Sequence, residues 1–459
     1  MIYHHCFWGI ALSPVAAQVQ FFAGGGVSTP PAADQVSWQQ SLARDPTRST
    51  PLRVLKVTQS YYPFLDRGGP AMKVRAIARG LVLRGHQVTV LTTDLGLQER
   101  SGSMELARSP WGWRSSTDSV ETFYLRPRGL YRSLTWNPAV YSFCRERVAS
   151  FDVVHIYGLY DLLAPPVARA CRRLGIPYVV EPIGMFRPII RSIPLKWVYQ
   201  RLFGDTLIRG AQRIVATSAQ EQQELIEGGV AAARVVIRRN GIEPPAHLPT
   251  RGSFRRQWRI PENAQVVLYL GRLVTKKSPE LLLEAFARCQ ARSASHRPAV
   301  LVLAGPDEGD GYRQRLESSA GRFGLGAQVL FTGPLYDDAK WSAYHDADVF
   351  VLPSQNENFG NTAAEAVACG TPVLLTDRCG VAALVEGRAG LVVPHQCDAL
   401  TAALEQLLDD AALRQRLQEG CAEAARELGW AEPLDQTEAL YAILTSRKKN
   451  SGSPAPVCR

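Results

Sequence analysis

The chain has 459 residues, 46% hydrophobic and 20% charged, with a formal net charge of +10. That length is too great for one ordinary domain and suits two of about 200 residues, in a chain able to bury a large core. No stretch is apolar over the ~20 residues that a spanning helix needs, which argues against an integral membrane protein.

Residues 1–50 are rich in Ala, Gln, Ser, Gly and Pro, lack periodicity and read as a disordered extension. Within them 7–22 come nearest to a secretory signal. Pro14 interrupts them and no cation precedes Arg44, so no signal is expected. From Arg53 the pattern changes to short β-branched runs alternating with amphipathic stretches, the mark of a parallel sheet covered by helices. Strands are expected at 53–58, 87–92, 152–157, 177–181 and 213–217, with helices between them at 70–83 and 163–174. Residues 240–252 cluster Pro and Gly as a linker. The alternation then restarts, with strands expected at 265–270, 299–304, 328–331, 348–352, 372–375 and 390–393. Helices are expected at 279–290, 311–322, 337–346, 361–369 and 398–427. The domains are therefore drawn at 51–245 and 246–428, then a helix over 429–445 and a disordered tail over 446–459. The fold class is α/β, two Rossmann-like domains whose parallel sheets face a central cleft.

Charge is unevenly placed. Residues 51–250 carry 27 Lys and Arg against 15 Asp and Glu, and residues 251–459 carry 23 against 25. A basic first half suits an anionic partner such as a membrane surface or a phosphorylated molecule. A solvated Arg-rich surface reads the same way. Arg187, Arg191, Lys196, Arg201 and Arg209 alternate with apolar residues over 186–210, as in a helix lying on an anionic membrane; Arg126, Arg128, Tyr131 and Arg132 extend that patch. Surface packing or an acceptor groove would look alike. No nucleic-acid-binding signature is present, so nucleic acid is not expected as a partner. The nine cysteines are widely spaced and form no C-x-x-C pair. This points to a reducing, cytoplasmic setting and away from a disulfide framework or structural zinc.

In open parallel sheets ligands bind beyond the carboxyl ends of the strands, so the loops after strands matter most. After the first strand come Gly68 and Gly69, which let backbone amides approach a phosphate at a helix start. An ordinary strand-to-helix turn would carry the same pair. After the first strand of the second half come Gly271, Arg272, Lys276 and Lys277, cations able to neutralise a diphosphate. The sharpest signal is 353–372, where Glu357 precedes a helix expected to begin near Asn361, which can cap it, and Glu365 lies at the end of its first turn. Carboxylates there can accept hydrogen bonds from sugar hydroxyls beside amides that hold a phosphate.

Glu357 to Glu365 spaced E-x7-E, the C-G-T-P-V that follows, the G-R-L-x-x-K-K-S-P stretch at 271–279 and the Gly68-Gly69 loop together resemble the signature of retaining glycosyltransferases of family 4, with the GT-B type fold. The resemblance covers about residues 53–445. It implies a metal-independent hexosyltransferase, without a cofactor. The enzyme would move a sugar from a UDP- or GDP-linked donor to a glycan or lipid-linked acceptor in surface polysaccharide or glycoconjugate synthesis; the cysteine spacing and the basic first half place it in the cytoplasm, peripheral on the inner face of the membrane. It implies that Arg272 and Lys277 bind the donor diphosphate and that Gly68 and Gly69 contact it from the other side. Glu357 would hold donor-sugar hydroxyls and Glu365 the ribose, while Asn358, Phe359, Gly360 and Asn361 shape the sugar pocket. The family often has H-x-H where this chain has His155 and Tyr157. His155 is therefore expected at the chemistry and Tyr157 at the substrate, although a Tyr is no base near pH 7. Ser278 replaces a Gly, read as a mild change. A sugar-nucleotide epimerase and a catalytically silent sugar-nucleotide-binding protein share this architecture and remain alternatives.

Overall fold

The computed structural model describes residues 50–64, 69–100, 102, 104–131, 134–186, 197–292, 298–307 and 309–451. The expected extension up to residue 49 lies outside the described residues, as do Gly68, Arg132, Arg187, Arg191, Lys196 and residues 452–459.

The first half is a sheet whose central strands are buried on both faces. β1 (Arg53–Val57) pairs in parallel with β2 (Gln87–Thr93), and the helix α1 (Gly69–Leu83) crosses between them. β3 (Ala107–Ser109), β4 (Gly112–Thr117) and β5 (Val120–Leu125) follow, then a hairpin of β6 (Gly129–Tyr131) and β7 (Leu134–Trp136). β8 (Val153–Tyr157), β9 (Tyr178–Glu181), β10 (Arg213–Ala216) and β11 (Val235–Ile237) complete the half, with the helix α2 (Ala219–Glu227) after β10. Among the described residues the order is β11-β10-β9-β8-β1-β2-β5-β4-β3.

The expected parallel sheet forms, and it carries an antiparallel edge that the sequence reading did not place. β4 runs antiparallel to both β3 and β5, which makes a meander at the β3 edge. An edge meander is partly solvated, so β4 lacks the continuous apolar run that marks a buried strand. Its turn to β5 uses Asp118 and Ser119 at φ 54° and 57°, the paired positive values a tight hairpin needs, without the Asn-Gly that usually announces them.

The second half holds β12 (Gln265–Leu270), β13 (Ala299–Ala304), β14 (Val329–Gly333), β15 (Val349–Leu352), β16 (Val373–Thr376) and β17 (Gly390–Val393). They are parallel, in the order β14-β13-β12-β15-β16-β17 among the described residues. Crossing helices include α3 (Pro279–Arg292), α4 (Asp337–Asp346) and α5 (Asn361–Ala368). The helix expected over 398–427 is two, Cys397–Asp409 and Ala411–Glu427. The Asp410 side chain accepts from the Leu413 amide at 2.8 Å and starts the second.

Each half buries its own core, and both belong to one compact unit. The last helix, α6 (Ala431–Ser451), returns to the first half, where Leu434 packs on Gly80 of α1 and Tyr441 reaches His155 of β8. It extends through 446–451, a stretch expected to be tail.

Candidate active site

The two strongest motifs of the second half meet beside β12 and β15. The loop after β12 carries Arg272 and tightens into a 3-10 turn at Thr275–Lys277. The Gln355 amide donates to the Lys276 carbonyl at 3.0 Å, which ties this loop to the one that follows β15. Lys277 and Glu357 form an ion pair. Glu357 is strapped by its backbone, its amide donating to Arg378 O at 2.8 Å and its carbonyl accepting from the Gly380 amide at 3.0 Å. The main chain is therefore fixed and the carboxylate projects from a rigid base. Burial is the main cause that pushes the Lys277 ammonium down to about 8; Cys379 opposes it, and the nearby cations Arg272 and Lys276 add smaller downward effects. Such a concentration of positive charge favours an anion.

Ser278 sits at φ 49°, a left-handed position that suits Gly. The strain that this replacement brings falls on the residue next to Lys277. The hydroxyl compensates by donating to Thr275 O at 3.2 Å and pairing with His395 Nε2 at 3.0 Å.

The helix α5 begins at Asn361, as expected, but Asn361 does not cap it. Gly360, at φ 101°, occupies the cap position, and a Cβ there would stand 2.6 Å from Cys379 Sγ. Asn361 is the first helical residue, and its side chain serves the domain interface instead. Its Oδ1 accepts from Asn240 Nδ2 at 2.9 Å, and its Nδ2 lies 3.1 Å from where a Cβ on Gly69 would be. Any side chain at Gly69 would press on Asn361, so α1 and α5 meet start to start. Two helix N-termini so placed concentrate positive potential. Phe359 is buried in the second core, so its ring does not line a sugar pocket; its backbone does the positioning by accepting from the Val381 amide at 2.7 Å. Glu365 lies one turn into α5, held by Lys340 and Tyr344, each at 2.9 Å.

The first half meets this loop through the ends of its strands. Thr217, after β10, donates its hydroxyl to Glu221 Oε2 at 2.6 Å, which leaves its oxygen to accept from Asn358 Nδ2. Asn356 Nδ2 donates to Glu224 at 3.1 Å. Gly184, after β9, packs against Asn358, with its amide on Glu221 at 2.5 Å. The cleft expected beyond the carboxyl ends of the strands is thus bridged by Asn356 and Asn358 of the loop after β15 and by Asn361 at the start of α5.

The structure brings Gly69, Lys277, Glu357, Asn358, Gly360 and Asn361 together, with Arg272 close by. It sets His155 and Tyr157 in a second cluster. As alternate residues of β8 they face one side of the sheet, beneath α1 and α6. His155 Nδ1 pairs with Tyr441 OH at 2.7 Å, and its Nε2 lies 3.4 Å from Glu181. Tyr157 stacks on His155 at 4.1 Å and accepts from Lys56 Nζ at 2.7 Å. Glu181 also receives Lys73, and Arg238 Nη2 donates to both of its oxygens, at 2.6 and 2.8 Å. Burial pushes His155 down to about 3, holds Lys56 well below its ordinary range and raises Tyr157 well above its own. Glu181 is lowered despite its burial, chiefly by Arg238 and Lys73. Both rings are wholly buried, so the direct substrate contact expected of them is not what this structure presents.

Lys56, Lys73, Glu181, Glu221, Arg238, Lys340 and Tyr441 are absent from the sequence-based site. Two left a signal. Lys56 interrupts an apolar strand, and Lys73 falls on the buried stripe of α1 with Ala71, Val74 and Ile77. A cation at a core position requires a buried partner. Glu221 lies three residues after Ser218, the cap of α2, and bonds Thr217 locally, while Glu181, Arg238, Lys340 and Tyr441 acquire meaning only through long-range packing.

Among the described residues no group of three or more His, Cys, Asp or Glu is placed to hold a metal ion, and no helix is long and apolar enough to cross a membrane. Residues 68–241 match the family model described as glycosyl transferase 4-like domain, and residues 250–426 the one described as glycosyl transferases group 1. The chain is 32% identical over 394 residues to D-inositol 3-phosphate glycosyltransferase of Corynebacterium aurimucosum, covering 82% of this chain and 91% of the relative. Two solved structures share the fold. One is the catalytic domain of starch synthase IV from Arabidopsis thaliana, bound to ADP and acarbose (TM-score 0.68, 16% identity, 87% of this chain and 100% of that one). The other is Anabaena HepE in complex with UDP-glucose (TM-score 0.62, 19% identity, 87% and 100%).

Proposed function

The chain belongs to the group 1 glycosyl transferases and has the GT-B fold, and from that premise we propose that it moves a sugar, with retention of configuration, from a UDP- or GDP-linked donor to a hydroxyl of an anionic glycan or glycolipid acceptor. The observation that carries this reading is the Lys277–Glu357 pair just before α5, the helix whose first residue, Asn361, faces Gly69 of α1. Arg272 and Lys277 neutralise the donor diphosphate, and the amides at the starts of α1 and α5 hold its oxygens. Glu357 accepts from hydroxyls of the donor sugar, and Glu365 accepts from the ribose. The bond from the anomeric carbon to the diphosphate breaks as the acceptor oxygen bonds that carbon from the same face. The acceptor's proton passes to the departing diphosphate. Such a transfer asks for orientation and for fixed cations aimed at growing negative charge, which a preorganised site supplies.

The excess of cations in residues 51–250 supports an acceptor bearing phosphate. The relative from Corynebacterium aurimucosum is named for one. A membrane-borne acceptor is favoured by a separate feature. Trp197, Val198 and Leu202 are exposed on one segment beside Arg201 and Arg209, a combination suited to the inner face of an anionic membrane. Salt-sensitive flotation with anionic liposomes checks that part, and flotation equal to neutral liposomes would remove it.

Nucleotide release across a panel of UDP- and GDP-sugars tests the whole. Release that needs an acceptor and is lost in Glu357→Ala is expected. Donor turnover without acceptor would favour an epimerase, and tight binding without turnover a silent binding protein.

A further inference from the structure

Glu365 is only 8% exposed, and each of its carboxylate oxygens already has one protein donor. Lys340 Nζ lies 2.9 Å from Oε1 and Tyr344 OH 2.9 Å from Oε2. Both donors come from α4, four residues apart, so they share one face of that helix. Neither is loose. The Lys340 ammonium lies 4.4 Å from the Trp341 ring centroid, and Tyr344 packs edge-on against Phe350 at 5.6 Å. Burial raises the Tyr344 phenol well above its ordinary value, so it stays a donor. A carboxylate offers about four acceptor sites, two on each oxygen. Lys340 and Tyr344 fill one on each, and one on each oxygen remains.

We propose that Lys340 is a positioning residue which, with Tyr344, turns the remaining lone pair of each Glu365 oxygen toward two adjacent hydroxyls of the nucleotide ribose, and so selects ribonucleotides over 2′-deoxyribonucleotides. This rests on the reading of Glu365 as the ribose contact. A site built to bind a hydroxyl rejects the analogue that lacks it, because the acceptor is then left unpaired. A Lys340 that merely balanced a buried charge would affect both nucleotides alike.

Calorimetric titration with UDP and GDP, each beside its 2′-deoxy counterpart, separates these roles. The wild type is expected to prefer the ribonucleotide by about tenfold or more. Lys340→Met should bring the ratio close to one by weakening the ribonucleotide alone, Lys340→Arg should restore most of it, and Tyr344→Phe should reduce it by a smaller factor. An unchanged ratio in both Lys340→Met and Tyr344→Phe would overturn the proposal, as would equal weakening of both nucleotides. Glu365→Ala tests the underlying reading separately. If it keeps the preference, Glu365 does not bind the ribose. If it loses the preference while the Lys340 and Tyr344 variants keep it, only the positioning role fails.

Discussion

Lys73 pairs with Glu181 between the first sheet and its covering helices, and Lys277 pairs with Glu357 where the second sheet meets the cleft. Side-chain exposure is 2% and 0% for the first pair, 18% and 16% for the second. Burial pushes both lysines down to about 8. The difference lies in what else each carboxylate touches. Glu181 also takes Arg238 and His155, so its acceptor sites are spent inside the protein. Glu357 has a clamped backbone and a carboxylate at the cleft. The same two residue types thus make a fixed interlock in one place and a site with capacity for a ligand in the other.

Breaking the dry pair should have the largest effect. Removing one partner of a buried ion pair leaves uncompensated charge and typically costs about 3–5 kcal/mol. Glu181→Leu strands Lys73 and Arg238, and a loss of that size is expected in denaturant unfolding. Glu357→Gln should unfold close to the wild type, and equal losses would erase the distinction.

Lys277→Met should act on the other side of the comparison. Loss of one preorganised donor lowers the rate by about 10²–10³, so kcat/KM for the donor should fall that far with little change in Tm. A large fall in Tm with a modest kinetic effect would make this pair structural too.

The pH dependence sharpens the same contrast. Lys277, shifted from 10.5 to about 8, is cationic below that pH and neutral above it, so kcat/KM should decline as pH rises through about 8. The unfolded chain keeps the Lys277 proton up to about 10.5 and therefore binds more protons between those values. Unfolding free energy should rise with pH over that window while activity falls, and Lys73 adds to the same trend. Parallel trends in pH-dependent kinetics and denaturation would contradict the assignment. The smallest effect is expected at Ser278. Ser278→Gly relieves a left-handed φ but gives up two hydrogen bonds and loosens the unfolded chain, so stability should change by less than about 1 kcal/mol, whereas Ser278→Val should lose more.

Legibility in the sequence followed the range of the interactions. Central strands and helices are set by local apolar periodicity, and their positions agree with the structure, down to α4 at 337–346. The antiparallel edge escaped because β4 is half solvated, and Asp410 divides a continuous helical pattern by a single capping bond. At the site, the loop spacing was legible because Glu357, Gly360 and Glu365 act within one short segment. The cap at Gly360 is set by Cys379 on the following loop, and the interface role of Asn361 and the inward turn of His155 depend on Asn240 and Tyr441, more than a hundred positions away in the chain.

Diffraction from crystals soaked with a nucleotide sugar that the enzyme turns over tests the central claim most directly. The diphosphate should lie about 3 Å from the Arg272 guanidinium, the Lys277 ammonium and the first amides of α5, with the sugar against Glu357. A diphosphate bound elsewhere, with Lys277 and Glu357 touching only each other, would contradict it.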